Sequence, residues 1–366
     1  MKKIINNCKM NFPKAKKVII QRYEGGLSKI PGITNPIKLS SNESALGCSP
    51  AATKAIDQIK KKIFKYPDSN SSLIKKQLSK IFNVKINQLI IGSGSDEIIS
   101  FACQAFLEKG DEVIVPEFSF LMYRIYAQIN GAKIIFAKEN NFKISTDSIL
   151  NCITKKTKII FLANPNNPTG TYLTEKELRY LQQRIPTNVL LVVDDAYWEY
   201  VQKKDYSSGL SIFKNAKNVL VLRTFSKIYG LASLRLGWGY SSKSIISSLL
   251  NYKPPFNITT AAELAGVSAL KDNKWLKKNI SHNKFWSKKI FDKLKEKNIK
   301  CNLPNANFFL MQFSKKYDAN NIFNKFAKSG VILRKMNNYK IKNSLRVTVG
   351  NAQESKLFIK LIDRFF

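Results

Sequence analysis

The sequence predicts an α/β protein: a large domain whose mostly parallel central sheet is flanked by helices, followed by a smaller α+β domain. The chain has 366 residues, of which 44% are hydrophobic, enough for two or three domains with large cores. Continuous Val, Ile and Leu runs alternate with helical stretches, which is typical of strands buried on both faces. The last third instead combines a long lysine-rich helix with two strand-like pieces.

The predicted elements follow one another in chain order. Strands are expected at residues 89–92, 112–116, 133–137, 158–162, 189–193 and 219–222. Helices are expected at 97–107, 122–130 and 173–184, the last beginning with Thr174 and with Glu177 three residues later, the pattern of a capping box. A helix at 275–297, strands at 307–313 and 345–349, and a final helix complete the prediction.

Composition excludes several classes of protein. The sequence contains no run of about 18 apolar residues, so no transmembrane helix is expected. The basic N-terminus lacks the long apolar segment of a secretory signal. The five cysteines are Cys8, Cys48, Cys103, Cys152 and Cys301. None forms a C-x-x-C pair, so neither a zinc site nor a disulfide framework is indicated, and a reducing cytoplasm is expected.

The formal net charge of +36 has two interpretations. Nucleic-acid binding is one. The other is compositional bias, since lysine far outnumbers arginine and asparagine and isoleucine are also abundant. The lysines are spread along the whole chain without a basic arm or an aromatic-interleaved patch. We therefore favour compositional bias, although the field also attracts anionic substrates.

The most informative stretch is residues 223–238, which contains Lys227 with Ser226 before it and Arg235 eight residues after it. This set can hold a phosphorylated aldehyde: the amine bonds to the aldehyde, and the hydroxyl and guanidinium bind the phosphate. A solvated surface lysine is the alternative, but three further motifs argue against it.

Two of these motifs are loops that follow predicted strands. Residues 92–97, Gly-Ser-Gly-Ser-Asp-Glu, allow close approach of an anion to a helix N-terminus, although an ordinary turn capped by Ser95 or Asp96 also fits. Residues 164–170, Asn-Pro-Asn-Asn-Pro-Thr-Gly, form a rigid loop at the sheet edge where open α/β sheets bind ligands. There the amide of Asn167 can donate to a phenolate-like oxygen; a purely structural turn is the alternative.

The third motif is a buried strand that ends in two acids, Asp194 and Asp195, followed by Ala196 and Tyr197. A carboxylate at that place can pair with a protonated ring nitrogen and make the ring an electron sink. A helix N-cap is the alternative for Asp194, and a metal ligand for Asp195, but no His, Asp and Glu constellation accompanies it. No metal site is predicted.

An aromatic side chain is also expected to face a flat ring. Phe118, Phe120 and Tyr123 follow Pro116 and are the candidates, and core packing is the alternative for at least two of them.

Together these motifs resemble the histidinol-phosphate aminotransferase family of class-II-like, fold-type-I pyridoxal-phosphate aminotransferases. The resemblance also includes residues 23–26, 38–43, 66–68, 333–334 and 345–350, and so runs almost end to end. It implies an N-terminal arm at 1–44 that packs with the small domain, a large cofactor-binding domain at 45–255 and a small domain at 256–366. The sequence departs from the family pattern mainly at 44–47, where Ser-Ala-Leu-Gly replaces the usual Asn-Pro-x-Gly.

The resemblance assigns roles to individual residues. It implies that Lys227 bonds to pyridoxal phosphate and acts as a base, that Asp194 pairs with the ring nitrogen, and that Tyr197 shares catalysis. The residues expected to bind the cofactor are Ser95, Asp96 and Glu97, through their backbone groups, and Phe120, Asn167, Asp194, Tyr197, Thr224, Ser226, Lys227, Arg235 and Tyr66. Tyr66 is expected to reach the phosphate of a neighbouring subunit, which implies a homodimer.

The resemblance also implies a substrate site formed by Tyr23, Asn42, Arg334 and Arg346. Arg346 is expected to bind the α-carboxylate of glutamate, and Arg334 with Tyr23 the distal phosphate or carboxylate. The implied reaction is amino transfer between L-glutamate and imidazole-acetol phosphate in histidine biosynthesis, with no nucleic-acid or membrane partner. Alternatives are an aromatic-amino-acid aminotransferase, a threonine-phosphate decarboxylase, and a nucleic-acid-binding regulator that has kept an aminotransferase-like domain.

Overall fold

The computed structural model of the protein describes residue 20 and residues 22–366. Its strands are β1 (Ile37–Lys38), β2 (Leu89–Gly92), β3 (Glu112–Pro116), β4 (Lys133–Ala137), β5 (Glu139–Asn140), β6 (Lys143–Ile144), β7 (Thr157–Ala163), β8 (Leu190–Asp194), β9 (Val219–Thr224), β10 (Gly237–Tyr240), β11 (Lys300–Cys301), β12 (Phe308–Gln312), β13 (Val331–Ile332), β14 (Arg334–Lys335) and β15 (Ser344–Thr348). Its α-helices are α1 (Pro50–Asp57), α2 (Ser72–Phe82), α3 (Ser95–Phe106), α4 (Leu121–Ile129), α5 (Thr146–Asn151), α6 (Glu175–Arg184), α7 (Gly209–Ile212), α8 (Lys243–Leu250), α9 (Thr260–Lys271), α10 (Asn273–Glu296), α11 (Ala319–Lys328) and α12 (Ala352–Phe365).

A seven-stranded sheet forms the centre of the larger core, in the order β2-β10-β9-β8-β7-β3-β4. The pairs from β9 through β8, β7 and β3 to β4 are parallel, and β10 is antiparallel to both of its neighbours. Strands β2, β3, β8, β9 and β10 are buried along their whole length, which explains their continuous apolar sequence. The predicted α/β class with a mostly parallel sheet is confirmed.

Helix ends carry the local signals that the sequence contains. Thr174 and Glu177 form the predicted capping box of α6, because each side chain accepts a hydrogen bond from the other's backbone N–H. Helix α3 begins at Ser95, two residues before the predicted start, because Gly94 adopts a positive φ of 82° as the preceding residue. That earlier start places the first turn of α3 directly after the glycine-containing loop.

A four-stranded antiparallel sheet, β11-β12-β15-β14, forms the second core with helices α10, α11 and α12. The N-terminal segment joins this part: β1 pairs with β13 in parallel, and Leu39 is buried in the same apolar cluster. This packing agrees with an N-terminal arm that belongs to the small domain. Residues 1–19 of the predicted arm lie outside the described residues.

The domain boundaries themselves remain a prediction, and the packing favours a change to one of them. Helix α9 lies after the predicted boundary at residue 255, yet Ala262, Ala265 and Leu270 are buried in the larger core with Ile74 of α2. Residues 286, 290 and 294 of α10 instead belong to the smaller core. We therefore propose that the small domain begins near α10 rather than at residue 256. No helix in the described part of the chain is both long and apolar enough to cross a membrane.

Candidate active site

The carboxyl ends of β7, β8 and β9 and the first turn of α3 meet at a cavity of about 340 Å³, within the ordinary size range of small-molecule sites. Ten of the predicted residues line it: Ser95, Asp96, Phe120, Asn167, Asp194, Tyr197, Thr224, Ser226, Lys227 and Arg235. The sequence therefore predicted most of the residues that line the cavity, although these residues span more than a hundred positions of the chain.

Lys227 reaches the cavity from the loop that follows β9. Its Nζ donates a hydrogen bond to the carbonyl of Ser41 at 3.3 Å and lies 5.7 Å from the centre of the Tyr197 ring. Loss of water contact, and next the positive charge of Arg346, lower the pKa of Lys227 from 10.5 to about 8. A larger fraction of this amine than of an ordinary lysine is consequently the free base near neutral pH.

Asp194 is the last residue of β8, and it is buried. Its Oδ2 accepts a hydrogen bond from the Tyr123 hydroxyl at 2.8 Å, and its Oδ1 accepts one from the Ala196 N–H at 3.1 Å. Burial raises the pKa of Asp194 to about 6, while these two donors oppose the rise. The carboxylate is therefore mostly ionised at neutral pH and can pair with a positively charged ring nitrogen.

Tyr197 stands beside these two groups. Its hydroxyl accepts a hydrogen bond from Asn42 Nδ2 at 3.0 Å, and Asn42 is fixed in turn by two hydrogen bonds with Thr348. Asn42 thus connects the N-terminal segment and β15 to the cavity wall without lining it. Burial raises the pKa of Tyr197, so its hydroxyl keeps its proton.

One end of the cavity is built to hold an anion. Arg235 Nη1 donates to Ser226 Oγ at 3.3 Å, and the Ser226 N–H donates to Thr224 Oγ1 at 3.1 Å. The Arg235 guanidinium lies so close to Gly94 that a Cβ at position 94 would collide with it. Backbone N–H groups in the first turn of α3 have no partner within the helix, and with the guanidinium and the hydroxyl they form an anion cradle.

Asp96 also lines this end of the cavity, but its side chain is already engaged. Its Oδ2 accepts a hydrogen bond from the Tyr126 hydroxyl at 2.8 Å, and burial raises the pKa of its carboxyl group. This leaves the backbone of Asp96 for an anion, and that role stays a prediction.

The aromatic candidates take different positions. Phe120 lines the cavity, whereas Phe118 packs against Phe142 with their ring centres 5.2 Å apart. Tyr123 also lines the cavity, but its ring stacks on Phe161 and its hydroxyl is directed to Asp194. Phe120 is therefore the candidate that can cover a flat ligand, while core packing applies to Phe118.

Two arginines lie next to the cavity on neighbouring strands. Arg334 of β14 and Arg346 of β15 are direct partners in the antiparallel register, and both side chains are buried. Arg346 donates to Asn167 Oδ1 and, at 2.9 Å, to the Ser40 carbonyl, while its Nε has no hydrogen-bond partner among the described residues. Arg334 donates to the Glu24 carbonyl at 2.6 Å. Such a pair suits a ligand with two anionic groups.

Three further predicted residues lie outside the cavity wall. Tyr23 is partly exposed and contacts the edge of Phe120, with the Arg334 guanidinium 5.9 Å from its ring. Glu97 turns its carboxylate away, accepting from the Ser93 N–H at 2.7 Å and from Asn257 Nδ2 at 2.6 Å. Its side chain thus fixes the loop before α3, which leaves only its backbone for an anion.

Tyr66 lies on the surface, 83% exposed, with its ring stacked on Phe256. Within this chain it does not line the cavity, and its predicted contact with a neighbouring subunit stays a prediction. The roles of all the site residues named from the sequence likewise stay predictions; what the structure gives is their placement.

The sequence prediction missed several residues of the site. Tyr123 entered only as an alternative ring, although its position three residues after Phe120 places both near the start of the same helix. Lys38 and Glu43 line the mouth of the cavity as an ion pair with a distance of 2.8 Å. The Ser41 carbonyl that accepts from Lys227 leaves no signal in the sequence, because any residue type supplies a carbonyl.

These features fit pyridoxal phosphate. The cofactor needs an amine for its aldehyde, an acid for its ring nitrogen and a cluster of donors for its phosphate. Lys227 and Asp194 supply the first two, and Arg235, Ser226 and the start of α3 form the cradle for the third.

Comparison with known proteins agrees with this geometry. The family model described as aminotransferase class I and II matches residues 34–362. A histidinol-phosphate aminotransferase of Pelagibacter ubique (strain HTCC1062) is 51% identical over 359 residues, which cover 98% of this chain and 100% of the relative. One from Maricaulis maris (strain MCS10) is 37% identical over 355 residues, covering 96% and 98%.

Solved structures show the same fold at low identity. The histidinol-phosphate aminotransferase of Sinorhizobium meliloti in complex with pyridoxal-5'-phosphate superposes with a TM-score of 0.83 at 21% identity, covering 90% of this chain and 92% of that one. The enzyme of Clostridium acetobutylicum gives 0.83 at 21% identity, covering 90% and 98%.

Fold, cavity and family model together define a pyridoxal-phosphate-dependent aminotransferase of fold type I. This confirms the enzyme class and the cofactor expected from the sequence. Within that class, the chain belongs to the histidinol-phosphate aminotransferase family, since relatives of that family match it over nearly its full length.

Proposed function

We propose that this protein transfers the amino group between L-glutamate and imidazole-acetol phosphate, giving 2-oxoglutarate and L-histidinol phosphate. The observation that carries the proposal is the 51% identity to a histidinol-phosphate aminotransferase along 98% of the chain. The cavity supports it, because an amine, a buried acid and an anion cradle face one another there.

Bound pyridoxal phosphate supplies a reactive aldehyde and an electron-withdrawing ring that stabilises negative charge on the carbon that loses its proton. The chain supplies the groups that hold and move protons. Asp194, largely ionised near neutral pH, offers the negative charge that keeps a ring nitrogen protonated. Lys227 Nζ, partly the free base, accepts a proton from the substrate carbon and returns it elsewhere.

The two arginines support a substrate pair in which each member carries two anionic or polar ends. Arg346 has a buried Nε without a partner among the described residues, and it lies beside the cavity through Asn167. We propose that Arg346 binds the α-carboxylate of glutamate. Arg334, with Tyr23 beside it, is assigned the distal carboxylate or phosphate, since a guanidinium binds either anion in a fork geometry.

A homodimer is part of the proposal. Ile63, Phe64 and Tyr66 are all more than 70% exposed and follow one another closely, which forms an apolar surface that a second copy would cover. The predicted role of Tyr66 at the neighbouring phosphate requires that copy. A cytoplasmic location also belongs to the proposal; the cysteines within the described residues are free thiols, as a reducing compartment keeps them.

The direct test is a comparison of amino acceptors with the purified, cofactor-loaded protein. With L-glutamate as donor, imidazole-acetol phosphate should give a kcat/KM at least about a hundredfold above that of phenylpyruvate, because only the former offers a phosphate to the arginine pair. Preference for phenylpyruvate would favour an aromatic aminotransferase. Release of carbon dioxide from threonine phosphate would favour the decarboxylase.

A further inference from the structure

A buried arginine lies directly behind the cavity, on the strand that leads to Lys227. Arg223 of β9 is 4% exposed and is enclosed by three aromatic rings, with its guanidinium carbon 4.1 Å from the centre of the Trp198 ring, 4.8 Å from Phe82 and 5.4 Å from Trp238. Trp238 is its direct partner across β9 and β10. The rings stabilise a cation that has little access to water.

The Arg223 guanidinium faces Asp195, which directly follows the last residue of β8. Arg223 Nη2 lies 3.6 Å from Asp195 Oδ2 and donates to Ser208 Oγ at 2.9 Å, whereas its Nε and Nη1 have no hydrogen-bond partner in the described chain. A buried cation with two unused donors is costly to keep as structure alone. Its charge therefore calls for an electrostatic explanation.

Asp195 is held from several sides. Its Oδ1 accepts from the Gly209 N–H at 3.1 Å and its Oδ2 from the Leu210 N–H at 3.4 Å, while its own N–H donates to the Leu222 carbonyl at 2.9 Å. Asp195 is thereby fixed to β9 and to the start of α7. Because Asp195 directly follows Asp194, the contacts that fix Asp195 also restrain the backbone that carries the Asp194 carboxylate.

Two buried carboxylates in consecutive positions oppose each other's ionisation. Burial raises the pKa of Asp195 to about 6, the Arg223 charge is the largest influence that opposes this rise, and the neighbouring Asp194 adds to it. Without the Arg223 cation, ionising both acids would cost more free energy, and one of the two would keep its proton to higher pH. The position of Arg223 removes this conflict, since it neutralises the acid that does not face the ligand.

We propose that Arg223 and Asp195 act as a positioning pair: the caged arginine neutralises and fixes Asp195, and so keeps Asp194 ionised and in place toward the cavity. Neither residue lines the cavity, so both act through Asp194. The inference rests on the proposed function for the role of Asp194.

Other titratable groups face the same two acids. Around Asp194 they are Tyr123 of α4, Asp96 of α3, and Lys227 and Tyr197 of the cavity wall. Around Asp195 and Arg223 they are Glu199, Tyr206 and Tyr229. All of these side chains are kept in the variants below, and Asp195→Asn also keeps Arg223 beside Glu199, so the shift in that variant reports the acid pair.

The test measures the titration of Asp194 in the full chain labelled with ¹³C at the aspartate carboxyl carbons, without cofactor. The Asp194 signal is assigned by its loss in Asp194→Asn. In Arg223→Met the midpoint should rise by about one pH unit, because the two adjacent acids lose the positive charge that favours their ionisation. In Asp195→Asn it should fall below the wild-type value, because the like charge is removed.

Two further variants separate charge from packing. The double variant Arg223→Met with Asp195→Asn should return the Asp194 midpoint toward the wild-type value, and Arg223→Lys should keep it there by retaining the charge. Arg184, which stacks on Tyr180 at 3.9 Å on the surface, supplies the matched control, and Arg184→Met should shift nothing.

A second readout uses the cofactor-loaded protein. The acid limb of the kcat profile should move to higher pH in Arg223→Met and to lower pH in Asp195→Asn, in the same directions as the carboxyl signal. Shifts of equal sign in the two single variants, or none in either, would overturn the proposal. If Arg223→Met does not fold, the downward shift in Asp195→Asn still decides.

The titration needs neither cofactor nor substrate, so its outcome is independent of the proposed reaction. If Arg223→Met raises and Asp195→Asn lowers the Asp194 midpoint, but the wild-type protein transfers no amino group, the positioning pair stands and the proposed function is refuted.

Discussion

The Tyr123 hydroxyl donates a hydrogen bond to the Asp194 carboxylate at 2.8 Å, and this contact joins α4 to the carboxyl end of β8. Tyr123 is fully buried and its ring stacks on Phe161, so the hydroxyl has little freedom to turn elsewhere. The contact therefore helps to set the ionisation of the Asp194 carboxyl group.

Tyr123→Phe should weaken catalysis in acid. A hydrogen bond to the ionised form lowers the pKa of a carboxyl group, so its loss raises the pKa of Asp194 further above about 6 and reduces the ionised fraction near neutral pH. We expect kcat/KM to fall about tenfold or more at pH 6 and less at pH 8, measured as a pH profile. Tyr126→Phe, which removes a similar bond to Asp96, is the control and should leave the acid limb in place.

The Lys227 amine should titrate well below an ordinary lysine. Folding lowers its pKa to about 8 from 10.5, so the fraction of free base in the cofactor-free protein rises with pH around 8. Because the unfolded chain holds this proton up to 10.5, the contribution of Lys227 to stability improves as pH rises from about 8 to 10.5. Acetylation of Lys227, followed by mass spectrometry, should show a midpoint near pH 8, with an exposed lysine such as Lys61 as internal reference. Equal midpoints for the two would contradict the assignment.

The arginine pair predicts a selective loss of phosphate binding. Arg334→Gln should raise KM for histidinol phosphate by about tenfold more than KM for glutamate, because a phosphate carries more charge than a carboxylate. Arg346→Gln should raise KM for glutamate strongly, since no other guanidinium donates next to Asn167 among the described residues. Steady-state kinetics of the two half-reactions measures both effects. Equal effects of Arg334→Gln on the two substrates would contradict the division of roles.

The proposed dimer predicts complementation between inactive variants. Lys227→Ala lacks the amine, and Tyr66→Ala lacks the ring that is expected to reach the neighbouring site. When the two are mixed, unfolded and refolded together, heterodimers should contain one intact site each, which restores about a quarter of the wild-type activity. Refolding each variant alone is the control. A mixture no more active than its components, or a protein that sediments as a monomer, would speak against shared sites.

The sequence predicted those parts of the site that depend on local chemistry. Lys227, Ser226 and Arg235 lie within one short segment, and Asp194 and Asn167 end or follow strands whose apolar pattern is plain, so their meeting at one sheet edge follows from a parallel sheet. The capping box of α6 was equally local and was found at the predicted residues.

Long-range contacts could not be predicted in the same way. The bond from Tyr123 to Asp194 joins residues 71 positions apart, and the bond from Arg346 to Asn167 spans 179 positions. Glu97 was predicted to bind an anion through its backbone, and the sequence did not indicate that its side chain bonds to Asn257, 160 positions away. Partners this distant depend on the packing of whole elements, which hydrophobic periodicity does not encode residue by residue.

Lys227 is expected to bond covalently to the cofactor through its amine. Reduction of the purified, cofactor-loaded protein with borohydride should fix that bond, and digestion with mass spectrometry should then find the added mass of reduced pyridoxal phosphate on Lys227. In Lys227→Ala the mass should be absent, together with the activity. Stable attachment at another lysine, or full activity in Lys227→Ala, would contradict the account.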